Sequence, residues 1–303
     1  MQLTDYEWRT IRNLDDGSLY AHPEVVAEQF RYPDMLHPRL LISRDPLGFP
    51  QGYLPVGQFY TDGTLSYIAA MPNSPAISPT YPPGADKILA HLRSPYLDTD
   101  VVTDLPLCRQ EPTASACCLP LPAYLSCLSA ARRKDIKRKL HASSHYQVRP
   151  GSLSDIKRAW HWMQAIWDSR GNAFGSIPYE QYLHTNLSWL TVLQRSGRAS
   201  LKIDLFLDGR QTVGVNCCVL HQYRGRGHCD DYLTWYDPER TAGLGIASAV
   251  KNLTDARLCG YRYNLGNPGV GRVHPRHQYK YDILPEALRL TQGVMSIIPD
   301  RAG

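Results

Sequence analysis

Nowhere among the 303 residues does an uncharged apolar run approach the roughly 18 residues that a membrane span needs. The opening Met1-Gln2-Leu3-Thr4-Asp5-Tyr6-Glu7-Trp8 is too polar for a signal peptide. No membrane span is expected, and a cytoplasmic location is. Cys-x-x-Cys is missing as well. The eight cysteines include the doublets Cys117-Cys118 and Cys217-Cys218, which suit neither a zinc ribbon nor a small disulfide scaffold, so they are read as reduced and mostly buried. Strong charge of one sign is also lacking. A net charge of +5 accommodates an anionic ligand without indicating nucleic acid, and no DNA partner is expected. With 43% apolar and 20% charged residues, the composition leaves no room for a long disordered tail.

What is present reads as two units joined by a basic segment. Arg39 to Ile42 and Tyr53 to Val56 suit strands of a hairpin turning at Asp45-Pro46-Leu47-Gly48, and Leu65 to Ala69 continues as a third strand. A proline-rich stretch, Met71 to Gly84, crosses the surface. A short helix (Asp86 to Leu92) and a strand (Thr99 to Leu105) complete the first unit. From about Pro122 to Ala142 a helix is expected, with Arg132, Arg133, Lys134, Lys137, Arg138 and Lys139 crowded late in it. A helix over Ser154 to Arg170 has Ser154 as N-cap and Ile156, Ala159, Trp160, Met163, Ile166 and Trp167 along one face, and a further helix runs from Tyr179 to about Arg195. Three strands follow: Leu201 to Leu207, Thr212 to Leu220 after the turn Asp208-Gly209, and Cys229 to Tyr236. A glycine turn, a helix from about Leu244 to Leu258 and a strand from Tyr261 to Leu265 close the pattern. The divisions are therefore 1–118, 119–150 and 151–303.

The motif that carries chemistry is Arg240-Thr241-Ala242-Gly243-Leu244-Gly245, delivered by a strand to a helix start. Glycines let backbone N–H groups approach a phosphate, the unpaired amides of a helix N-terminus favour anions, and Arg240 adds charge. A tight turn packing against a strand is the alternative reading of the same residues. Two nucleotide motifs are absent. No Walker lysine follows Gly245, and the acidic residue of a dinucleotide-binding fingerprint is replaced by Asn264.

The turn resembles the Arg/Gln-x-x-Gly-x-Gly/Ala signature of the GNAT acyltransferases, and it sits between a long strand ending Tyr236-Asp237-Pro238 and a helix, where that fold wants it. Leu207-Asp208-Gly209, the Tyr232 to Asp237 strand, Leu265-Gly266 and Tyr279-Lys280 extend the likeness to the large branch related to cellulose-cluster acyltransferases and Fem-type aminoacyl transferases. It covers roughly residues 120 to 285 and is fainter over 8 to 110. The spacing departs by one residue between Pro238 and the turn, which leaves the placement of Arg240 open.

The resemblance implies an α/β (α+β) architecture of tandem GNAT-like halves, with mixed, mostly antiparallel sheets flanked by helices. The first half would be degenerate and the second would hold the donor site. It implies acyl-CoA as a co-substrate, with no permanently bound cofactor, and transfer to an amine or hydroxyl of a small metabolite or sugar. Aminoacyl-tRNA is the alternative donor, and a non-catalytic binding protein of the same fold is a second alternative. Donor-binding candidates are Arg240, Gly243, Leu244 and Gly245, with Trp235 and Tyr236 on a strand whose amides would meet the thioester carbonyl. Acyl transfer needs a neutral amine, a polarised carbonyl and a proton for the leaving group. Asp231 and Asp237 are the catalytic candidates for the base, with Asp230 and His228 nearby. Tyr279 is the candidate acid, followed by Tyr263 and Tyr281. Lys280, Trp167 and Asn264 are candidates for the substrate, although Trp167 equally suits a core and Lys280 a solvated surface. His274 and His277 lack a third ligand in sequence, and no metal is expected. The basic run serves as an anion site for coenzyme phosphates or a tRNA acceptor stem, or as a solvated helix face.

Overall fold

The computed structural model describes residues 3–31, 36–61, 64–68, 107–112, 115–169, 179–223, 225–237, 239–241, 243–265, 278–284 and 293–298. The chain begins with helices α1 (Asp5–Asn13) and α2 (Pro23–Gln29). Thr4 and Glu7 cap α1 reciprocally: the Glu7 amide donates to Thr4 Oγ1 (3.2 Å) and the Thr4 amide to Glu7 Oε2 (2.7 Å). Strands β1 (Leu36–Arg44), β2 (Pro50–Thr61), β3 (Thr64–Ile68), β4 (Leu107–Pro112) and β5 (Ser115–Cys117) follow. Next come helices α3 (Leu121–Ser126) and α4 (Ala130–Ala142), strand β6 (Gln147–Pro150), and helices α5 (Leu153–Arg158), α6 (Trp160–Ser169) and α7 (Tyr179–Arg195). The last part is β7 (Ala199–Asp208), β8 (Gln211–Tyr223), β9 (Arg226–Tyr236), α8 (Leu244–Leu253), β10 (Arg262–Asn264), α9 (Gln278–Ile283) and β11 (Gly293–Ile298).

These strands form a five-stranded sheet, β1-β2-β3-β11-β4, and a six-stranded sheet, β5-β10-β9-β8-β7-β6. The six-stranded sheet is antiparallel except where β9 and β10 run parallel. It is the mixed, mostly antiparallel architecture expected from the sequence. Neither sheet is confined to one of the three sequence segments. Ser115–Cys117 and Gln147–Pro150 supply the two edges of the larger sheet, and Gly293–Ile298 enters the smaller one between β3 and β4.

Alternation along β8 divides two cores. Val215, Cys217 and Val219 face one cluster with Ile11, Val25, Trp189, Leu190 and Leu193 of α1, α2 and α7. Cys218 and Leu220 face another with Tyr124, Ile136, Val250, Leu253 and Ile283 of α3, α4, α8 and α9. The larger sheet is thus covered by helices on both faces, so both its faces drive folding by apolar burial. Among the described cysteines, Cys118, Cys217, Cys218 and Cys229 are buried, Cys117, Cys127 and Cys259 are exposed, and all are unpaired thiols.

Two long helices expected from the sequence are each divided. The segment 121–142 breaks at Cys127 to Ser129, where Ser129 Oγ accepts from the Arg132 amide and starts a new helix. The segment 153–169 breaks at Ala159, and its N-cap is Ser152, paired with Asp155, instead of Ser154. Trp160 and Trp162, both in α6 beyond the break, pack against the same core. The helix expected over 244–258 ends at Leu253 and resumes as a 3-10 turn, Ala256–Leu258. The helix and strand expected at 86–92 and 99–105 lie outside the described residues.

Candidate functional site

The order β7, β8, β9, turn, α8, β10 is the arrangement that the GNAT resemblance implies. Strand β9 pairs with β8 over its whole length but with β10 only at His228, Cys229 and Asp230. Beyond Asp230, β10 stops at Asn264 while β9 continues to Tyr236. The two strands form a fork, and past its vertex one edge of β9 has no strand partner among the described residues. The fork coincides with an irregularity. Cys217 pairs with Leu233 and Cys218 with Asp231, so Tyr232 is an extra residue in β9. Bulges increase local twist and end pairing.

At the vertex, consecutive carboxylates point to opposite faces. Asp231 lies on the α8 and α9 face, where the Tyr263 hydroxyl and Asn216 Nδ2 (2.9 Å) donate to it. Asn216 Oδ1 in turn accepts from Asn252 Nδ2 (2.9 Å), and Asn252 Oδ1 accepts from Lys202 Nζ (2.7 Å), which is ion-paired to Asp204. Burial raises the Asp231 carboxyl above its ordinary value, against the lowering effects of Tyr263, Asn216, Lys280 and Lys202. Lys280 of α9 is pulled down to about 8 by burial, opposed by the negative charge of Asp231. Both side chains are largely enclosed but keep some contact with solvent. Burial thus shifts the two groups in opposite directions, the carboxyl up and the ammonium down, each toward its neutral form.

Helix α9 is held over this face by the basic segment. The Tyr124 hydroxyl donates to the Ile283 carbonyl (2.8 Å), and Arg132 pairs with Asp282 (2.8 Å). Tyr279, on the same helix, is 37% exposed.

The far end of β9 leads into the glycine turn. Thr241 caps back onto the Asp237 carbonyl through its amide (3.1 Å) and hydroxyl (2.5 Å), and Asp237 Oδ1 accepts from the Glu239 amide (3.0 Å). Asp237 is therefore a turn-forming carboxylate just past the end of β9, whereas Asp231 lies mid-strand at the fork. Arg240 donates to Gln211 Oε1 (2.6 Å) and lies 3.9 Å from Asp237. Gly243 has φ +86°, a conformation that L side chains rarely adopt. Gly214 of β8 lets α8 start against the sheet: a Cβ there would come within 2.6 Å of Leu244 Cδ2.

The first intrahelical bond runs from the Ala247 amide to the Gly243 carbonyl, and the Leu244 amide is turned onto the Thr241 carbonyl (3.0 Å). The Gly245 and Ile246 amides precede the helical ladder and are the donors that a helix start offers to an anion. Leu244 belongs to the turn through its backbone alone, its side chain being buried with Phe206 and Val213. Trp235 likewise turns its ring into the core of the opposite face. Tyr236 packs beside Gly245, where a Cβ would lie 3.1 Å from Tyr236 Cε1. Asn264 is fully buried and donates to Asp230 Oδ1 (3.2 Å), so it faces a carboxylate and not an open cleft. Trp167 lies in α6, and the His274 and His277 segment lies outside the described residues.

Several of these partners carry no local sequence signal. Lys202, Asn216, Asn252 and Tyr263 come from three strands and a helix, and only the pairing register brings them to Asp231.

No family of sequences matches the chain, and no curated protein does. It is similar to two solved structures along nearly its whole length. One is a conserved protein of unknown function from Bacteroides thetaiotaomicron VPI-5482, 11% identical, with 98% of each chain covered and a TM-score of 0.48. The other is FemX, 9% identical, with 99% of this chain and 97% of that one covered and a TM-score of 0.48. Among the described residues, no helix is long and apolar enough to cross a membrane.

Proposed function

We propose that the protein transfers an acyl group from a phosphate-bearing donor to an amine, with acyl-CoA as the donor of the first reading. One observation carries this: the glycine turn and the Asp231–Lys280 pair stand at opposite ends of an edge of β9 that has no strand partner among the described residues. Tyr236 lies five positions beyond Asp231 along β9, roughly 16 Å at about 3.3 Å per residue. A donor anchored by its phosphates at Gly245 needs an extended arm of that order, lying along β9, to bring its carbonyl to the fork. Pantetheine is such an arm, and the backbone N–H groups of β9 are of the kind that polarise a thioester carbonyl.

In this mechanism the acceptor nitrogen attacks the thioester carbon, the C–N bond forms and the C–S bond breaks. Asp231 takes the proton released from nitrogen. The thiolate takes a proton from Lys280, whose value near 8 suits a thiol of about 8.5, or from Tyr279 beside it. Neutral amine, polarised carbonyl and proton donor are then all supplied by the fork.

The second reading, aminoacyl-tRNA as donor and a ribose hydroxyl as leaving group, is favoured by α4. Lys134 and Lys137 are exposed on that helix, three residues apart, and its Lys139 reaches the turn. Incubating the protein with acetyl-CoA and a panel of amines while following thiol release tests the first reading. Amide formation from charged tRNA without thiol release, with binding steeply weakened by salt, would replace it with the second. No heat on titration with any donor, and no thermal protection, would leave a binding protein.

A further inference from the structure

On the face of β9 opposite Asp231, an otherwise apolar surface of Val215, Cys217, Val219, Leu233 and Trp235 contains one polar constellation centred on Asp230. The carboxylate is fully buried and held from three directions. The Tyr20 hydroxyl, from a 3-10 turn between α1 and α2, donates to Oδ2 (3.0 Å). His221 Nε2 of β8 is 2.9 Å from the same oxygen, and Asn264 Nδ2 of β10 donates to Oδ1. His228 stacks on His221 at 5.0 Å and 14°, and burial holds its imidazole neutral, at about 4. Tyr20 meets the His221 ring edge-on at 5.2 Å.

A buried carboxylate with satellites is an expensive way to fill a core. Packed hydrophobic residues are as stabilising or more so, and what buried polar groups provide, where they provide anything, is a single conformation. The location shows which conformation is at stake. Asp230 opposite Asn264 is the last rung of the β9–β10 ladder, and Asp230 precedes Asp231 and the bulge. The Asn264 to Asp230 bond is a side-chain clamp across the vertex, and Tyr20 and His221 fix the carboxylate that receives it. Tyr20 is itself tied into the N-terminal region, since the Tyr53 hydroxyl of β2 donates to the neighbouring Ala21 carbonyl (3.3 Å).

We infer that Asp230, clamped by Tyr20, His221 and Asn264, is a positioning residue that sets the vertex of the β9–β10 fork, and that the N-terminal segment thereby controls the geometry of the donor strand. The consequence for transfer rests on the function proposed above; the structural clamp does not. The test compares Tyr20→Phe and Asp230→Asn with Ile11→Val, a small core deletion in the same apolar cluster away from the fork. Amide hydrogen exchange of the intact protein is the first readout. Exchange across 231–236 and 262–265 is expected to rise by about tenfold or more in the two clamp variants, beyond any change in the rest of the sheet, because a local opening is made easier. Ile11→Val should raise exchange only in proportion to its global stability.

The second readout is affinity for acetyl-CoA, expected to fall several-fold in the clamp variants and to hold in Ile11→Val. Exchange that follows global stability alike in all three proteins overturns the inference. A selective rise at the fork upholds it even if the wild-type protein binds no acetyl-CoA, an outcome that removes only the donor reading. Wild-type binding that persists unchanged in both clamp variants overturns the link from clamp to donor strand.

Discussion

The Cγ atom of Lys139 lies 3.6 Å from the point where a Cβ on Gly243 would sit, so the aliphatic stem of a lysine from the basic helix borders a turn residue held at φ +86°. The basic helix and the glycine turn, distant in sequence, meet at this contact. Four of the run's six cations also have structural partners. Arg132 pairs with Asp282, Arg133 donates to the Leu125 and Leu128 carbonyls (2.9 and 3.1 Å), and Arg138 and Lys139 pair with Asp135 (2.7 Å each). Lys134 and Lys137 project into solvent.

Replacing Gly243 by valine should cost about 1–2 kcal/mol, the strain of a left-handed conformation for an L residue, since a Cβ itself meets nothing closer than Lys139. Donor affinity should fall several-fold or more as the turn relaxes. Thermal denaturation and calorimetric titration with acetyl-CoA measure the two effects separately. Full affinity in a folded variant would remove the turn from donor binding.

Reversing Lys134 and Lys137 to glutamate should leave stability within about 0.5 kcal/mol, because both side chains are at the surface. If charged tRNA is the donor, the slope of log affinity against log salt should shrink by about 1 per lysine. A coenzyme donor held at Gly245 should be weakened only modestly. Filter binding across a salt series distinguishes the two outcomes.

The Tyr263→Phe variant removes a donor that lowers the Asp231 carboxyl. The carboxyl should therefore rise further, and the acidic limb of the pH–rate profile should move to higher pH. Leaving a buried acceptor short of a partner should also cost about 1–3 kcal/mol. An acidic limb that stays in place would mean that Asp231 does not set it.

Lys280 has a depressed value near 8 in the folded protein against about 10.4 for a free lysine. Below pH 8 it is charged in both states and burial of that charge opposes folding. Between about 8 and 10.4 the unfolded chain holds more protons, so stability should rise with pH across that window. Urea denaturation of wild type and Lys280→Met at intervals from pH 7 to about 10.5 isolates this contribution as the difference between the two curves. Parallel curves would contradict the burial of Lys280.

The second half of the fold was legible because its signals are local. Asp208-Gly209 turns a hairpin with Gly209 at φ +59°, Gly260 at φ +84° follows the 3-10 turn, and alternation marks β7 to β9. The turn at 240–245 was legible for the same reason. The reciprocal Thr4–Glu7 cap of α1 also stood in the sequence, as Thr-x-x-Glu before an apolar-periodic stretch, and would have located that helix. What spacing could not give was the pairing of distant segments. Asn264 was visible as an asparagine, but its use against Asp230 depends on a parallel register set 34 residues away. Tyr20 lies 210 residues from the carboxylate it serves. Likewise the division between sheets follows long-range pairing, which no local composition shift records.

Strand β11 also bears on the order of folding. Among the described residues, Leu107–Pro112 and Thr64–Ile68 are joined only through Gly293–Ile298, so the smaller sheet closes when a segment distant in sequence enters its middle. Until then two strand edges stay bare, and bare edges are where folding chains recruit wrong partners. Pairings of such large sequence separation form slowly, which makes the seating of this one strand the step at which the sheet is most open to misassembly.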